Sequence, residues 1–373
     1  MRTSIATVSL SGTLDEKLRA AAAAGFDGVE IFEPDLIGSP RTPEEVRGLA
    51  SDLGLSLDLF QPFRDFEGVG PDVLAANLRR AEAKFRLMTR LGVDTMLLCS
   101  NVGTAKSGDD SLAAEQLAQL AALAGRHGVR VAYEALAWGR YVADFEHAMR
   151  LVRMVDHPHF GTCLDSFHIL SRTDRFDAID AIPADKIFFV QLADAPRLEL
   201  DVLSWSRHHR VFPGEGEFDL PGFLARVLRA GYRGPVSLEV FNDVFRQSDP
   251  RATAVDALRS LHWVEEQAAA VAGRPAPALT PALEPERIDF VEIRSDERAR
   301  MAAVLGQLGF ARRGEHRWKP VELWEAGRAR IVLGDRGARA GSSVTALGFA
   351  VPDPVAGERR ARELGASAVE RTE

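Results

Sequence analysis

Eight short β-rich runs recur up to about residue 272: SIATVSL, GVEIF, LSLDLF, DTMLLC, VRVAYE, FGTCLD, KIFFVQ and PVSLEV. Between most of them lie stretches whose apolar residues fall at helical spacing. TPEEVRGLASDLG opens with Thr42 at the N-cap, Pro43 in the first turn and Glu45 at the capping-box position. PDVLAANLRRAEAKFRLMTRLG reads as a long amphipathic helix ending at Gly92, and SLAAEQLAQLAALAGRHG as another stopped at Gly128. Strands that are apolar on both faces and alternate with helices form a parallel sheet. Eight such units in this length predict an α/β fold, a (β/α)8 TIM barrel over residues 1–272. An open doubly wound sheet is the competitor, but no G-x-G-x-x-G follows the first strand.

Four of the apolar runs end on, or next to, an oxygen-bearing side chain: Glu134 in VAYEAL, Asp165 in CLDSFH, Gln191 in FVQLAD and Glu239 in LEVFND. The carboxyl ends of all strands in such a barrel open onto one face, where catalytic groups from several strands meet. Three carboxylates and one amide oxygen on neighbouring strands would suit a hard divalent cation such as Mg²⁺ or Mn²⁺ better than a Cys/His zinc site. Taken singly, an acid at a strand end serves equally well as a helix cap or an ion-pair partner. His168 follows Asp165 by three residues into the same mouth, which fits a general acid/base as well as a structural histidine.

Two connections are too long for plain turns: QPFRDFEGVG after the third strand, and LADAPRLELDVLSWSRHHRVFPGEGEF after the seventh. Loops of this length suggest a lid or a substrate clamp. Arg210 in the second loop and Arg64 in the first offer planar forks for a substrate carboxylate, although loop arginines are commonly solvated. His208 and His209 read as exposed. Trp138 and Trp205 either wall the pocket or pack on the rim.

The texture changes at GRPAPALTPALEPE, residues 273–286, a Pro/Ala-rich linker. Beyond it, RIDFVEIRS is a strand, DERARMAAVLGQLGF a helix, RWKPVELWEAG and RARIVLGD are strands, and VTALGFAVPDPVAGERRARELGA starts the cycle again. Asp296 and Asp353 precede the two helices and Gly309 and Gly365 follow them, a weak repeat of a βαβββ-type α+β unit over residues 287–373. The second unit stops short of its remaining strands, so a piece of a longer protein is expected.

Net charge of −8 argues against a general nucleic-acid or membrane-surface binder. The two cysteines, Cys99 and Cys163, lie in apolar runs and read as buried free thiols. MRTSIATVSLSG lacks the apolar core of a secretion signal, and no segment reaches ~18 uninterrupted apolar residues. A cytoplasmic protein with a small-molecule substrate is expected; a homo-oligomer is compatible with the sequence.

Glu at the fifth strand, Asp-x-x-His at the sixth, a ligand at the seventh, then RVFPGEGEFDL and VSLEVFND resemble the xylose isomerase-like sugar-phosphate isomerase/epimerase barrels over residues 1 to about 270. Within them, FQPFRDFEG and the fused C-terminal module resemble the bacterial metal-dependent 3-dehydroshikimate dehydratases, which carry a domain similar to 4-hydroxyphenylpyruvate dioxygenase behind the barrel. The resemblance implies Glu134, Asp165, Gln191 and Glu239 as metal ligands, His168 as acid/base and Arg210 as a substrate contact. Gln191 departs from the His that many members place on the seventh strand. The implied reaction is dehydration of 3-dehydroshikimate to protocatechuate, with a divalent ion and no organic cofactor. The tail resembles the start of a vicinal-oxygen-chelate domain. RIDFVEIRS and VTALGFAVP contain no His, so no metal is expected there. The alternatives are a sugar or sugar-phosphate isomerase/epimerase and a catalytically inactive binding module. A repair endonuclease would need several His ligands and a basic groove, neither of which is seen.

Overall fold

All eight expected runs form strands. β1 (Thr3–Ala6), β2 (Gly28–Phe32), β3 (Ser56–Phe63), β4 (Thr95–Cys99), β5 (Arg130–Glu134), β6 (Phe160–Asp165), β7 (Ile187–Leu192) and β8 (Val236–Leu238) pair in parallel, each with the next. β8 then closes onto β1, with Ser4 opposite Ser237. The structure is a computed structural model and describes residues 1–274, 279–335 and 341–367.

Local chemistry sets the helix ends. Thr42 caps the helix Pro43–Asp52 in a capping box with Glu45, and Thr13 with Glu16 repeats the device on Leu14–Ala24. Gly92, at φ 82°, ends the helix Pro71–Leu91 in the left-handed turn that glycine adopts without steric cost. The helix Asp110–Arg126 is closed by His127, and Gly128 comes next with φ 66°.

Two apolar layers hold the barrel. Outside, residues such as Phe85, Leu117, Leu120, Phe160 and Phe223 pack strands against helices. Inside, Leu59, Leu97, Ala132, Cys163 and Phe189 form a separate cluster. Fully burying a large apolar side chain is worth about 1.5–3 kcal/mol, so both layers matter. Strand side chains alternate faces. The residues two further along, Gln61, Cys99, Glu134, Asp165 and Gln191, therefore face inward one layer up, and Glu239 does so just beyond β8. Cys99 and Cys163 are buried free thiols.

The chain divides into two compact units, Met1–Pro277 and Ala278–Glu373. Residues 275–278 of the expected linker and 336–340 and 368–373 of the expected C-terminal module lie outside the described residues. The second unit is a mixed sheet of order β10-β11-β12-β9-β13. Its strands are β9 (Arg287–Ser295), β10 (Ala311–Glu315), β11 (Val321–Ala326), β12 (Ala329–Asp335) and β13 (Ser342–Ala350). β9 lies parallel to β12 and antiparallel to β13. As expected, Asp296 and Asp353 precede the helices Arg298–Gln307 and Pro354–Glu363; Asp353 caps its helix, and Glu297 takes the cap position of the other. Gly309 and Gly365 both adopt positive φ. Among the described residues no helix is long and apolar enough to cross a membrane.

Candidate active site

The upper interior layer collects the buried acids. Asp165 ends β6, lies opposite Gln191 of β7, and caps the five-residue helix Ser166–Leu170. Its Oδ1 accepts the Phe167 and His168 amides at 2.6 and 3.3 Å. That short helix carries His168 back over the mouth. One ligand atom each from Glu134, Asp165 and His168 lies within 4.8 Å of the others. His168 Nε2 is 3.9 Å from Glu134 Oε1 and equally far from Asp165 Oδ2.

Arg210 is the cation at the centre of this arrangement. It is buried, and its Nη1 donates to Asp165 Oδ2 at 2.8 Å, to Glu239 Oε2 at 3.1 Å and to the Glu239 carbonyl at 3.0 Å. Nε and Nη2 both donate to Ser206 Oγ. The guanidinium lies 4.5 Å from the centre of the Phe167 ring. The alternative roles foreseen for single strand-end acids are thus filled here: Asp165 is both cap and ion-pair partner, and Glu239 is an ion-pair partner. Arg210, expected to grip a substrate carboxylate, has its donors engaged by the protein's own groups.

Gln191 is oriented from the other side. Its Nε2 donates to Glu30 Oε2 at 2.7 Å, and Cys163 Sγ donates to its Oε1 at 3.3 Å. Gln61 Nε2 donates to the same Glu30 oxygen at 2.8 Å. Glu134 Oε2 accepts from Cys99 Sγ at 3.4 Å, while its Oε1 is buried without a partner among the described residues.

Burial and like charge set the electrostatics. Burial, then the charges of Asp165 and Glu239, push the Glu134 carboxyl well above the ordinary range. Burial raises Glu239, with Arg210 opposing and Asp165 adding to the shift. Burial also acts to raise Asp165, but Arg210 and His168 overcome it and hold that carboxyl low. Burial is the largest cause that lowers His168, to about 3, against the pull of Asp165. The ring is therefore neutral at neutral pH and has one acceptor nitrogen. Two obligate donors face it: the Ala137 amide at Nδ1 and Arg210 Nη2 at Nε2, each at 3.1 Å. Only one of these contacts is a hydrogen bond. The backbone amide is the less movable, which assigns the proton to Nε2, the nitrogen that faces the acids.

Gln61, Arg64, Cys99, Glu134, Trp138, His168, Arg207, Arg210 and Glu239 line the inner pocket, whose free volume is about 10 Å³, room for one water-sized group. An outer hollow of about 700 Å³ shares Pro62, Arg64 and Arg207 with it. Trp138 walls the inner pocket, and its ring centre lies 5.0 Å from that of His168. Trp205 packs instead on Phe167 and Phe218. His208 is exposed and pairs with Asp243 at 2.9 Å. Sequence reasoning missed Glu30, Gln61, Ser206 and Arg207. For Glu30 the signal was present: an acid within the apolar run GVEIF.

Comparison with known proteins agrees with the closed eight-stranded barrel. The model of the xylose isomerase-like TIM barrel family matches residues 18–265. The chain belongs to this family. Among relatives of this TIM barrel, the 3-dehydroshikimate dehydratase of Pseudomonas putida is 52% identical, over 89% of this chain and 54% of its own length. That of Pseudomonas aeruginosa is 54% identical over the same shares. The chain spans about half the length of these curated relatives. A solved xylose isomerase-like TIM barrel/4-hydroxyphenylpyruvate dioxygenase fusion protein superposes with a TM-score of 0.92 at 49% identity, covering 98% of this chain and 61% of that one.

Proposed function

We propose that this barrel is a metal-dependent lyase that dehydrates 3-dehydroshikimate to protocatechuate. The observation that carries the reading is the match, over nine-tenths of the chain, to two relatives named for that activity. The more distant inosose isomerases, at 27–28% identity, support an isomerase less well.

The residues of the mouth fit a hard divalent cation. Glu134 Oε1 is buried and unpartnered among the described residues, and Asp165 and Glu239 keep acceptor capacity beyond their bonds to Arg210. Glu134, Asp165, Glu239 and the amide oxygen of Gln191 would hold Mg²⁺ or Mn²⁺, with Glu30 gripping the Gln191 amide nitrogen. A bound ion of this kind would supply Lewis acidity toward a ketone oxygen.

The chain's own groups carry the remaining work. His168 presents Nε2 to the cleft and is the group through which a proton passes between substrate and protein: one proton leaves the carbon next to the ketone, and one joins the departing hydroxyl, which leaves as water. Arg210 lies against His168 and orders the acids, so its contact with substrate falls at the reacting end. Arg64 lines both the inner pocket and the outer hollow, which supports its reading as a contact for the substrate carboxylate.

The test is turnover of 3-dehydroshikimate by the purified chain with Mg²⁺ or Mn²⁺, followed as protocatechuate formed, beside ketose and inosose substrates. Faster isomerisation of a ketose or inosose would overturn the reading.

A further inference from the structure

Arg207 makes no hydrogen bond or ion pair with the buried acids among the described residues, although the charge of Glu239 favours its charged form. It sits in the last turn of the helix Val202–His208, whose N-cap Asp201 accepts the Leu203 and Ser204 amides. Trp205 and Ser206 pin one side of this helix, through Phe167 and Phe218 and through Arg210. Arg207 is thereby held half-buried between the inner pocket and the outer hollow. Its guanidinium lies 4.6 Å from the centre of the Phe241 ring and 5.6 Å from that of Trp138. Among the described residues it forms no ion pair.

Arg64 lines the same boundary, and its Nε is buried with no hydrogen-bond partner among the described residues. After burial, the charge of Arg64 is what most disfavours the charged form of Arg207. Other charged groups at this boundary are already matched: Glu33 with Lys84, His208 with Asp243, and Arg210 with Asp165 and Glu239. Two neighbouring guanidinium groups without an anion repel each other, and together they offer a fork-shaped site for a carboxylate.

We propose that Arg207, paired with Arg64 across the cleft mouth, forms the carboxylate subsite of the enzyme and sets its preference for an anionic ring. The inference rests on the dehydratase reading for the identity of the substrate. It does not rest on it for the existence of the anion site. Phe241 and Trp138 hold the guanidinium of Arg207 by cation–π contact and leave its N–H edge for the ligand.

The test compares protocatechuate with catechol, the same ring without the carboxylate, as ligands of wild type, Arg207→Ala and Arg207→Lys, titrated by calorimetry. Wild type should bind protocatechuate more tightly than catechol. Arg207→Ala should weaken protocatechuate ~10-fold or more, the scale of a lost charged hydrogen bond, and leave catechol within about twofold. Arg207→Lys should recover part of the loss, and KM for 3-dehydroshikimate should rise with kcat little changed. Equal weakening of both ligands would reduce Arg207 to a structural role, and unchanged protocatechuate binding would remove it from the site. A wild type that prefers protocatechuate to catechol but fails to dehydrate 3-dehydroshikimate would overturn the dehydratase reading and leave the subsite standing.

Discussion

Two layers of the barrel interior, two residues apart on the same strands, follow opposite rules. The lower layer holds Leu97, Ala132, Cys163 and Phe189, apolar groups that satisfy one another. One step up the same strands stand Cys99, Glu134, Asp165 and Gln191, with Glu239 beyond β8. There, buried acids repel each other and one of their oxygens lacks a partner among the described residues. The lower layer stabilises the fold. The upper layer is a cost that the lower one offsets, and such a cost is characteristic of groups arranged for chemistry. Mutations in the two layers should therefore move activity and stability in opposite senses.

The largest expected effect is on activity in the upper layer. Glu134→Ala or Glu239→Ala should abolish turnover with the circular dichroism spectrum unchanged. EDTA should do the same to wild type, reversed by Mg²⁺ or Mn²⁺. Full turnover by rigorously metal-free protein would break the contrast, because the acids would then have no ion to hold. Next in size, His168→Ala should lower kcat by ~10²-fold or more, the scale of a lost acid/base. A kcat within about threefold of wild type, well short of that scale, would take His168 out of the proton path.

A smaller effect concerns stability. Glu134 has its folded pKa raised by burial and by Asp165 and Glu239. Such a group contributes stability that is present below its unfolded pKa and is lost as pH rises through the folded value. EDTA-treated Glu134→Gln should therefore melt above EDTA-treated wild type at pH 8, with the gain shrinking below about pH 4.5, near the unfolded carboxyl pKa. His168 has the opposite sign. With its folded value near 3, its contribution is present above its unfolded pKa and is lost as pH falls toward 3. A lower melting temperature for Glu134→Gln at pH 8 would show that the upper layer is not strained. The smallest effect is expected outside the barrel. A shortened chain ending at residue 272 should stay soluble and keep its kcat, measured beside the full chain; loss of turnover with metal still bound would make the barrel dependent on its C-terminal extension.

The same geometry explains why some of this was legible in sequence and some was not. A strand fixes which residues face inward by parity alone, so acids at the ends of apolar runs could be read directly, and the placement of His168 came from its three-residue offset. Glu30 escaped because it sits two residues before the end of its run, where it reads as strand rather than rim. Arg207 and Ser206 depend on how a long loop folds a short helix across the mouth, which no periodicity encodes. The reach of Arg210 to two acids from that loop was hidden for the same reason. In the second unit, β10 was missed because ARRGE, a polar edge strand, carries no apolar alternation.

Asp165 divides its two oxygens between different tasks, Oδ1 to the amides of Phe167 and His168 and Oδ2 to Arg210. Cap and ion-pair partner are usually weighed as rival explanations of an acid; here they are two faces of one carboxylate. The position is therefore constrained twice over during divergence. Asparagine could keep the helix start while discarding the charge, so a descendant barrel could lose its chemistry by a single substitution and retain its shape, whereas alanine would forfeit both at once.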